Sequence, residues 1–420
     1  MTKHANTLTA GRPTVVILGG GFGGLEAARS LAQSAVNVVL IDKKNHHCFQ
    51  PLLYQVATAS LSPADVAWPI RSIIAGQENA AVIMGKAIGI DMTSRTVSIS
   101  SGQCIPFDYL ILATGVTSSY FGHPEWAKYA PGLKTIQDAT RIRGRILSSF
   151  ERAERSSEDV EKDKALTFVV VGGGPTGVEL AGSIADIAHN ALARDFRNIN
   201  PASAKVIIVE AGARLLASFP KGLSAYARRA LSCMGVEVLT NAAVTGCDEN
   251  GVILSNGRRI ASECIIWAAG VQASPAASWI GIKGDRAGRI TVDEHLRVPG
   301  FHNVFAIGDI ACSNSNGRPV PGLAPAAKQM GHYVACYIVQ DLAGGLAKPF
   351  KYRHQGDLAT IGRKSAVVSL GRLRIKGLLG WLFWSAAHIY FLIGARNRAV
   401  VALNWIWEYV TFQRGARLIN

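Results

Sequence analysis

A six-residue glycine-rich run occurs twice in this chain of 420 residues. Each copy ends a short apolar, β-branched segment and opens a stretch of helix formers. Gly19-Gly20-Gly21-Phe22-Gly23-Gly24 follows Thr14–Leu18 and leads through Gly24–Ala32 to a second apolar run, Val36–Ile41. Gly172-Gly173-Gly174-Pro175-Thr176-Gly177 follows Thr167–Val171 and leads through Val178–Ala193 to Lys205–Val209. Strand, tight turn, helix, strand is the grammar of a βαβ unit. The copies begin 153 residues apart, too far for a stacked repeat array. The predicted fold is therefore α/β with two Rossmann-like dinucleotide-binding domains.

Both runs match G-x-G-x-x-G. In such a run the first glycine permits the turn and the second lets the backbone approach a pyrophosphate. The third lets the helix pack closely on the strand, and the helix N-terminus favours the anion. Asp42 lies 23 residues after Gly19, where a carboxylate accepts hydrogen bonds from a ribose diol. The corresponding acid in the second copy is Glu210, 38 residues after Gly172. A helix continuing through His189–Asn200 is expected to absorb the extra length. A carboxylate at Glu210 repels a 2′-phosphate and so favours NAD over NADP; the nearby Arg214 works in the opposite direction. Two such sites imply a permanently bound flavin and a nicotinamide that comes and goes, but the glycines do not say which copy holds which.

Lys and Arg number 44 against 29 Asp and Glu, a net charge of +15. An excess of this size calls for an anionic partner, and it is unevenly spread. Residues 351–420 hold eleven Lys and Arg but only two acids, Asp357 and Glu408, together with Trp381, Trp384, Trp405 and Trp407. Within this region Gly377–Ala395 is nineteen residues without a formal charge, and Val400–Phe412 is a second apolar-aromatic stretch. Length alone would let the first stretch span a bilayer. Cations flank it on both sides, however: Arg372, Arg374 and Lys376 before, Arg396 and Arg398 after. A spanning helix usually shows a bias to one side. The expected arrangement is amphipathic helices in one leaflet with their cations at anionic lipid headgroups. A single span and a buried homodimer interface are the alternatives. Nucleic-acid binding is disfavoured, because the charge lies beside tryptophan-rich apolar segments and no nucleic-acid motif is present.

Seven cysteines occur without a CxxC pair, which argues against a disulfide framework or a thiolate metal site and for a reducing compartment. The first residues, MTKHANTLTAGRP, lack the apolar core of a signal peptide, which places the chain on the cytoplasmic side. Glu151–Lys164 carries dense mixed charge and reads as a solvated helix end or loop leading into the second domain.

Several further segments resemble one family. Asn45–Pro63 (NHHCFQPLLYQVATASLSP), Gly172–Gly182 (GGGPTGVELAG), Ile266–Pro275 (IWAAGVQASP), Val304–Ile310 (VFAIGDI), Asp357–Val367 (DLATIGRKSAV) and the C-terminal FLIGARNRAVVALNWIWEYVTFQRGARLI are similar to stretches of the type II NADH dehydrogenases, flavoproteins with two dinucleotide folds. The resemblance implies a monotopic NADH:quinone oxidoreductase on the cytoplasmic face of the inner membrane, without proton pumping, with FAD as cofactor and a homodimer compatible with the C-terminal region. It implies that Gly19, Gly21, Gly24 and Asp42 hold FAD, with Ala113, Thr114 and Gly115 at a strand-to-loop crossing and Gly308 and Asp309 on the ribityl or pyrophosphate region. Gly172, Gly174, Gly177 and Glu210 would bind NADH. Glu179 would lie near the nicotinamide and flavin and tune hydride or proton transfer; as a plain residue of the sequence it is a favourable charge at a helix N-terminus.

The implied spans are 1–164 and 290–350 for the FAD domain, 165–289 for the NAD domain and 351–420 for membrane anchoring. The family's quinone motif, AQxxxQ, is matched by Ala324-Pro325-Ala326-Ala327-Lys328-Gln329, with proline in place of the first glutamine and Gln329 at the second. Lys376 is a further candidate at the quinone. Cys48 stands where an aliphatic residue is expected and reads as packing. Disulfide reductases of this architecture carry a CxxxxC pair after the first βαβ unit; only Cys48 falls there. The weighed alternatives are a soluble NADH:ferredoxin-type reductase and a flavin-based, NADH-binding redox sensor.

Overall fold

The computed structural model describes residues 9–193, 195–411 and 414–419. The first eight residues, on which part of the N-terminal reading rests, lie outside them, as do Arg194 and Phe412. The chain divides into two compact units. One comprises residues 1–48, 68–117 and 271–355; the other comprises 49–67, 118–270 and 356–420.

The first unit is built on a five-stranded parallel sheet in the order Val304–Ala306, Tyr109–Leu112, Thr14–Leu18, Asn37–Asp42, Ala80–Met84. Its strands are nearly continuous apolar runs because both faces are covered; Val15, Val16, Ile17 and Leu18 are at most 1% exposed. One cover is the helix Phe22–Ser30, which crosses the long helix Ala324–Leu342 so closely that a Cβ on Gly331 would fall 2.2 Å from the Gly23 carbonyl oxygen. A three-stranded antiparallel meander, Ala87–Asp91, Thr96–Ile99 and Cys104–Pro106, is inserted before the fourth parallel strand in sequence.

The second unit repeats this plan. Its parallel sheet runs Val236–Leu239, Lys205–Val209, Thr167–Val171, Cys264–Trp267. It too carries a meander, Val244–Asp248, Gly251–Leu254 and Arg259–Ala261, before its last strand. The duplication therefore extends beyond the glycine runs to the whole domain plan. In both units the glycine-run strand lies inside the sheet with a neighbour on each side, so its C-terminal end opens at the point where ligands bind in such sheets.

Two expectations need adjusting. The helix of the second unit, Pro175–Asp186, does not continue through His189–Asn200. It ends in a π-helical turn at Ile187–Ala191 and then runs irregularly to Pro201. The charged stretch Glu151–Lys164 is a helix end, as one of its two readings had it: it is the end of Ile136–Arg155 and most of Asp159–Ala165, with charges that suit the helix dipole. Residues 118–164 pack in the second unit rather than the first, and 271–289 in the first. Long-range packing decides such boundaries and composition does not reveal it.

The C-terminal segment closes the second unit. A three-stranded antiparallel sheet, Asp357–Thr360, Ala366–Leu370 and Leu373–Lys376, leads into two helices, Gly377–Phe391 and Ala395–Thr411. The nineteen-residue apolar stretch is thus broken. Leu392 is extended and Gly394 has φ +88°, a left-handed conformation natural to glycine. Fifteen helical residues reach about 22 Å, short of the roughly 30 Å bilayer core. Among the described residues no helix is long and apolar enough to cross a membrane. The second helix buries Asn397, Val401 and Trp405 on one face and exposes Leu403, Ile406, Trp407 and Val410 on the other.

Candidate active site

In the first unit the candidate site is the turn after Thr14–Leu18. Gly19 has φ +108°, and its N–H donates to the Ile41 carbonyl at 2.8 Å. A Cβ here would strike the Ala113 carbonyl oxygen at 2.4 Å, and one on Gly24 would strike that of Gly19 at 1.9 Å. These two glycines exist for packing. Gly21 differs: a Cβ there would meet nothing within 4 Å. It is the N-cap of the Phe22–Ser30 helix and no side chain caps that helix, so the first-turn N–H groups face open space.

Asp42 organises the turn. Its Oδ2 accepts from Gly20 N–H at 2.6 Å and its Oδ1 from Lys44 N–H at 2.7 Å. Each carboxylate oxygen has a second lone pair, so a diol can still be bound. Ala113 extends the neighbouring strand by donating to the Leu18 carbonyl. Thr114 and Ser274 share a hydroxyl hydrogen bond of 2.6 Å, and Gly115 turns at φ +66° beside open space. Gly308 (φ +70°) and Asp309 begin the 3₁₀ turn after Val304–Ala306. These residues all belong to the first unit and border the C-terminal edge of its sheet.

His47 was not singled out from sequence. It is 3% exposed, its Nδ1 bonds the Gly20 carbonyl at 2.9 Å, and its Nε2 is buried without a partner. Burial lowers its pKa, so it is a neutral ring holding the glycine turn. Its position inside the HHCF segment was the available signal.

The second unit carries a cradle of the same construction. Gly172 has φ +111°, and a Cβ there would lie 2.7 Å from the Ala268 carbonyl carbon. A Cβ on Gly177 would strike the Gly172 oxygen at 1.8 Å, whereas Gly174 is open and is the uncapped N-cap of Pro175–Asp186. Pro175 fits the first helical position, where no N–H is needed. Glu210 Oε2 accepts from Gly173 N–H and Oε1 from Gly212 N–H, both at 2.6 Å. The longer connection to Glu210 thus delivers the same carboxylate to the same turn. Arg214 does not approach as a free cation: its guanidinium donates to the carbonyls of Phe219 at 2.8 Å and Ala217 at 2.5 Å.

Glu179 lies one turn into this helix and is 8% exposed. Its Oε1 accepts only a long bond, 3.4 Å, from Thr360 N–H. Burial therefore dominates and pushes its pKa up to about 8, with the Thr360 bond opposing weakly. Thr360, its bond partner, lines a cavity of about 40 Å³ together with Tyr54, Gln55, Trp384, Glu408 and Arg414, among others. Trp405 Nε1 donates to Gln55 Oε1, and Gln55 Nε2 donates to the Tyr54 hydroxyl, each at 2.8 Å. Arg414 donates to the Thr58 carbonyl at 2.8 Å and to Asp186 at 2.5 Å. Sequence reasoning missed this cluster.

The two quinone candidates belong to different units. In the first, Gln329 has both ends of its amide engaged by the Arg353 backbone at 2.9 Å. Pro325 sits in the first turn of Ala324–Leu342, where proline costs no helix hydrogen bond. In the second, Lys376 lies 5.5 Å over the Tyr226 ring and lines a groove of about 760 Å³ with Arg229, Arg363 and Lys364.

Residues 13–331 match the family model of the pyridine nucleotide-disulphide oxidoreductases, and residues 354–414 match the NDH2 C-terminal domain. The type II NADH:quinone oxidoreductase NdhA of Mycobacterium tuberculosis is 42% identical over 98% of this chain and 90% of its own length. The Ndh protein of the same organism, of the same description, is 41% identical over 97% and 90%. The chain is a type II NADH dehydrogenase. Its fold agrees: NDH2 of Plasmodium falciparum, solved with NADH, superposes with a TM-score of 0.88 at 21% identity, covering 97% of this chain and all of that one. The sulfide:quinone oxidoreductase of Aquifex aeolicus has the same fold with a TM-score of 0.74 at 19% identity, covering 95% of each chain. Within this type II NADH dehydrogenase all seven cysteines are free thiols. Burial pushes Cys48 and Cys264 up to about 12 and Cys247 up to about 11, which leaves them inert as nucleophiles.

Proposed function

We propose that this type II NADH dehydrogenase is a membrane-associated FAD enzyme that passes two electrons from NADH to a quinone and moves no protons across the membrane. The observation that carries this reading is the paired construction of its two cradles. Each has an open middle glycine, an uncapped helix N-terminus and a carboxylate tied to the glycine turn.

Gly19, Gly21, Gly24 and Asp42 would receive the adenosine and pyrophosphate of FAD, with Ala113, Thr114, Gly115, Gly308 and Asp309 toward the flavin. The fit is supported by the space before Gly21 and Gly115, which a Cβ would enter without meeting anything. FAD, when bound, supplies two-electron exchange between hydride donor and acceptor. Gly172, Gly174, Gly177 and Glu210 would receive NADH. Engagement of Arg214 by loop carbonyls supports NADH over its 2′-phosphorylated form.

Reduction of a quinone to a quinol consumes two electrons and two protons, one of which comes from the medium. Glu179, with its pKa near 8, holds a proton at neutral pH and is suited to deliver it. Lys376 would face the quinone from its groove. Gln329 would act by fixing the chain at Arg353, since its amide is already engaged there. The exposed apolar faces of the last two helices, with the neighbouring cations, support peripheral binding to anionic lipids of the inner membrane's cytoplasmic face. A homodimer contact through these faces is the competing reading, since one face cannot meet both lipid and a second copy of the chain.

The test is anaerobic stopped-flow absorbance of detergent-purified holoenzyme, mixed with NADH and then with a ubiquinone analogue. Fast flavin bleaching followed by fast recovery is expected. Bleaching without recovery would refute quinone as acceptor and favour a ferredoxin-type reductase or a sensor. No bleaching would refute the two-cradle electron-transfer reading.

A further inference from the structure

The second unit contains another buried carboxyl group, and neither cradle uses it. Glu408 is one of only two acids after residue 350 and is carried by the last helix, Ala395–Thr411. The residue is half-buried, yet its Oε1 is sealed from solvent and has no hydrogen-bond partner among the described residues. Glu408 lines the small cavity together with Ser60, Tyr54, Gln55 and Thr360. About 40 Å³ is room for roughly two waters.

The groups that face Glu408 can be named. Arg414, two turns of chain away, is committed to the Thr58 carbonyl and to Asp186. Arg363, from the 357–376 sheet, donates to the backbone carbonyls of Glu408 and Tyr409 at 2.9 and 3.0 Å. Asp186 adds a repulsive charge from the second-fingerprint helix. Among the described residues, none forms an ion pair with the Glu408 carboxylate. Burial therefore prevails over the two arginines, and the group titrates at about 7.

A carboxyl group with an open inner oxygen is poor packing, because an apolar or fully bonded residue would fill the same place better. Its surroundings suit proton movement instead. Tyr54 accepts from Gln55 and so retains its own O–H to give. Thr360 lines the cavity and also holds Glu179 through its N–H. Trp405, three residues before Glu408, fixes Gln55 and hence the tyrosine. Glu408 is itself only half-buried, and it lines the same small cavity as Tyr54.

We propose that Glu408 is a proton-positioning residue for quinone reduction, taking a proton from solvent and passing it through cavity water and the Tyr54 hydroxyl to the Glu179 carboxyl group. The inference rests on the NADH:quinone reading. One proton leaves Glu408 and one enters Tyr54 as the Tyr54 proton moves on, so the relay is neutral over a cycle. The second proton of the quinol has its own source in the hydride. Glu408 acts through Glu179 and touches no substrate.

The test compares wild type and Glu408→Gln as holoenzymes, measuring NADH:quinone turnover at saturating substrates between about pH 5 and 9 and, separately, the anaerobic rate of flavin reduction by NADH. Wild-type turnover is expected to fall as pH rises through the midpoint of Glu408. The Gln variant is expected to lose that limb and about tenfold in turnover at pH 6, with unchanged flavin content and unchanged flavin reduction. Ser60→Ala, which keeps the carboxyl group but removes a neighbouring hydroxyl that favours its charged form, is expected to move the limb to higher pH. Overlapping profiles for wild type and Glu408→Gln, or an unmoved limb in Ser60→Ala, would overturn the proposal and leave the quinone reading intact. Failure of the wild type to reduce quinone at all would remove both.

Discussion

Replacing Glu179 by glutamine should change how stability depends on pH more than it changes stability at any one pH. The Glu179 carboxyl group has a pKa near 8 in the fold against 4.5 as a free side chain, chiefly because it is buried. The folded protein therefore binds this proton more tightly than the unfolded chain does. With a raised folded value, the group's contribution is intact below about pH 4.5 and is progressively lost as pH rises toward 8. At about 1.4 kcal/mol per pH unit, the full loss is about 5 kcal/mol, and the part between pH 5 and 7 is about 2–3 kcal/mol. For a unit of this size each kcal/mol moves the unfolding midpoint by roughly 2–4 °C, so the pH 5 to 7 difference is about 5–10 °C. Glutamine keeps the shape and the acceptor for Thr360 but does not titrate. Thermal unfolding of both holoenzymes by circular dichroism, at half-unit pH steps, should show the wild type losing this much relative to the variant. A constant offset between the two curves from pH 5 to 8 would refute the assignment of Glu179 as a neutral buried acid.

Two more outcomes follow from geometry. Gly21→Ala should fold and bind FAD at least tenfold more weakly, because its Cβ meets no protein atom but enters the cradle. Gly24→Ala should fail to fold the first unit, because its Cβ would overlap the Gly19 oxygen; flavin content and far-ultraviolet dichroism of the two variants separate the cases. Leu403→Ser with Trp407→Ser should leave soluble-acceptor activity unchanged and cut vesicle binding by roughly a thousandfold, since two large side chains at about 2 kcal/mol each are removed from an exposed face. Vesicle flotation reads the loss, and equal flotation of wild type and variant would show that this face does not meet lipid.

Much of the candidate site was legible because it is local. A strand that must turn sharply and admit a phosphate needs glycine at particular positions, whatever the remainder of the chain does. Gly19, Gly24, Gly172 and Gly177 are required by backbone atoms within a few residues or on the adjoining strand. Asp42 and Glu210 end strands whose pairing is in register with the first, so their return to the glycine turn follows from the βαβ unit itself. The wider resemblance to type II NADH dehydrogenases was legible too, since it rests on contiguous segments spread along the chain.

Where contacts join distant segments, the sequence was silent. Trp405 reaches Gln55 across 350 residues, and Arg414 reaches Thr58 across 356. No periodicity links those positions, so the buried network around Tyr54 and Glu408 appears only when the chain has folded. The same holds for Glu179: its identity and place on the helix are in the sequence, but its protonation depends on which atoms exclude water from it. Arg214 was a free cation on paper and is a loop clasp in the fold. Sequence by itself determined the two cradles, through the conformational demands of single residues. Tertiary structure alone decided the charge states and the cavity, because desolvation is a property of everything packed around a group.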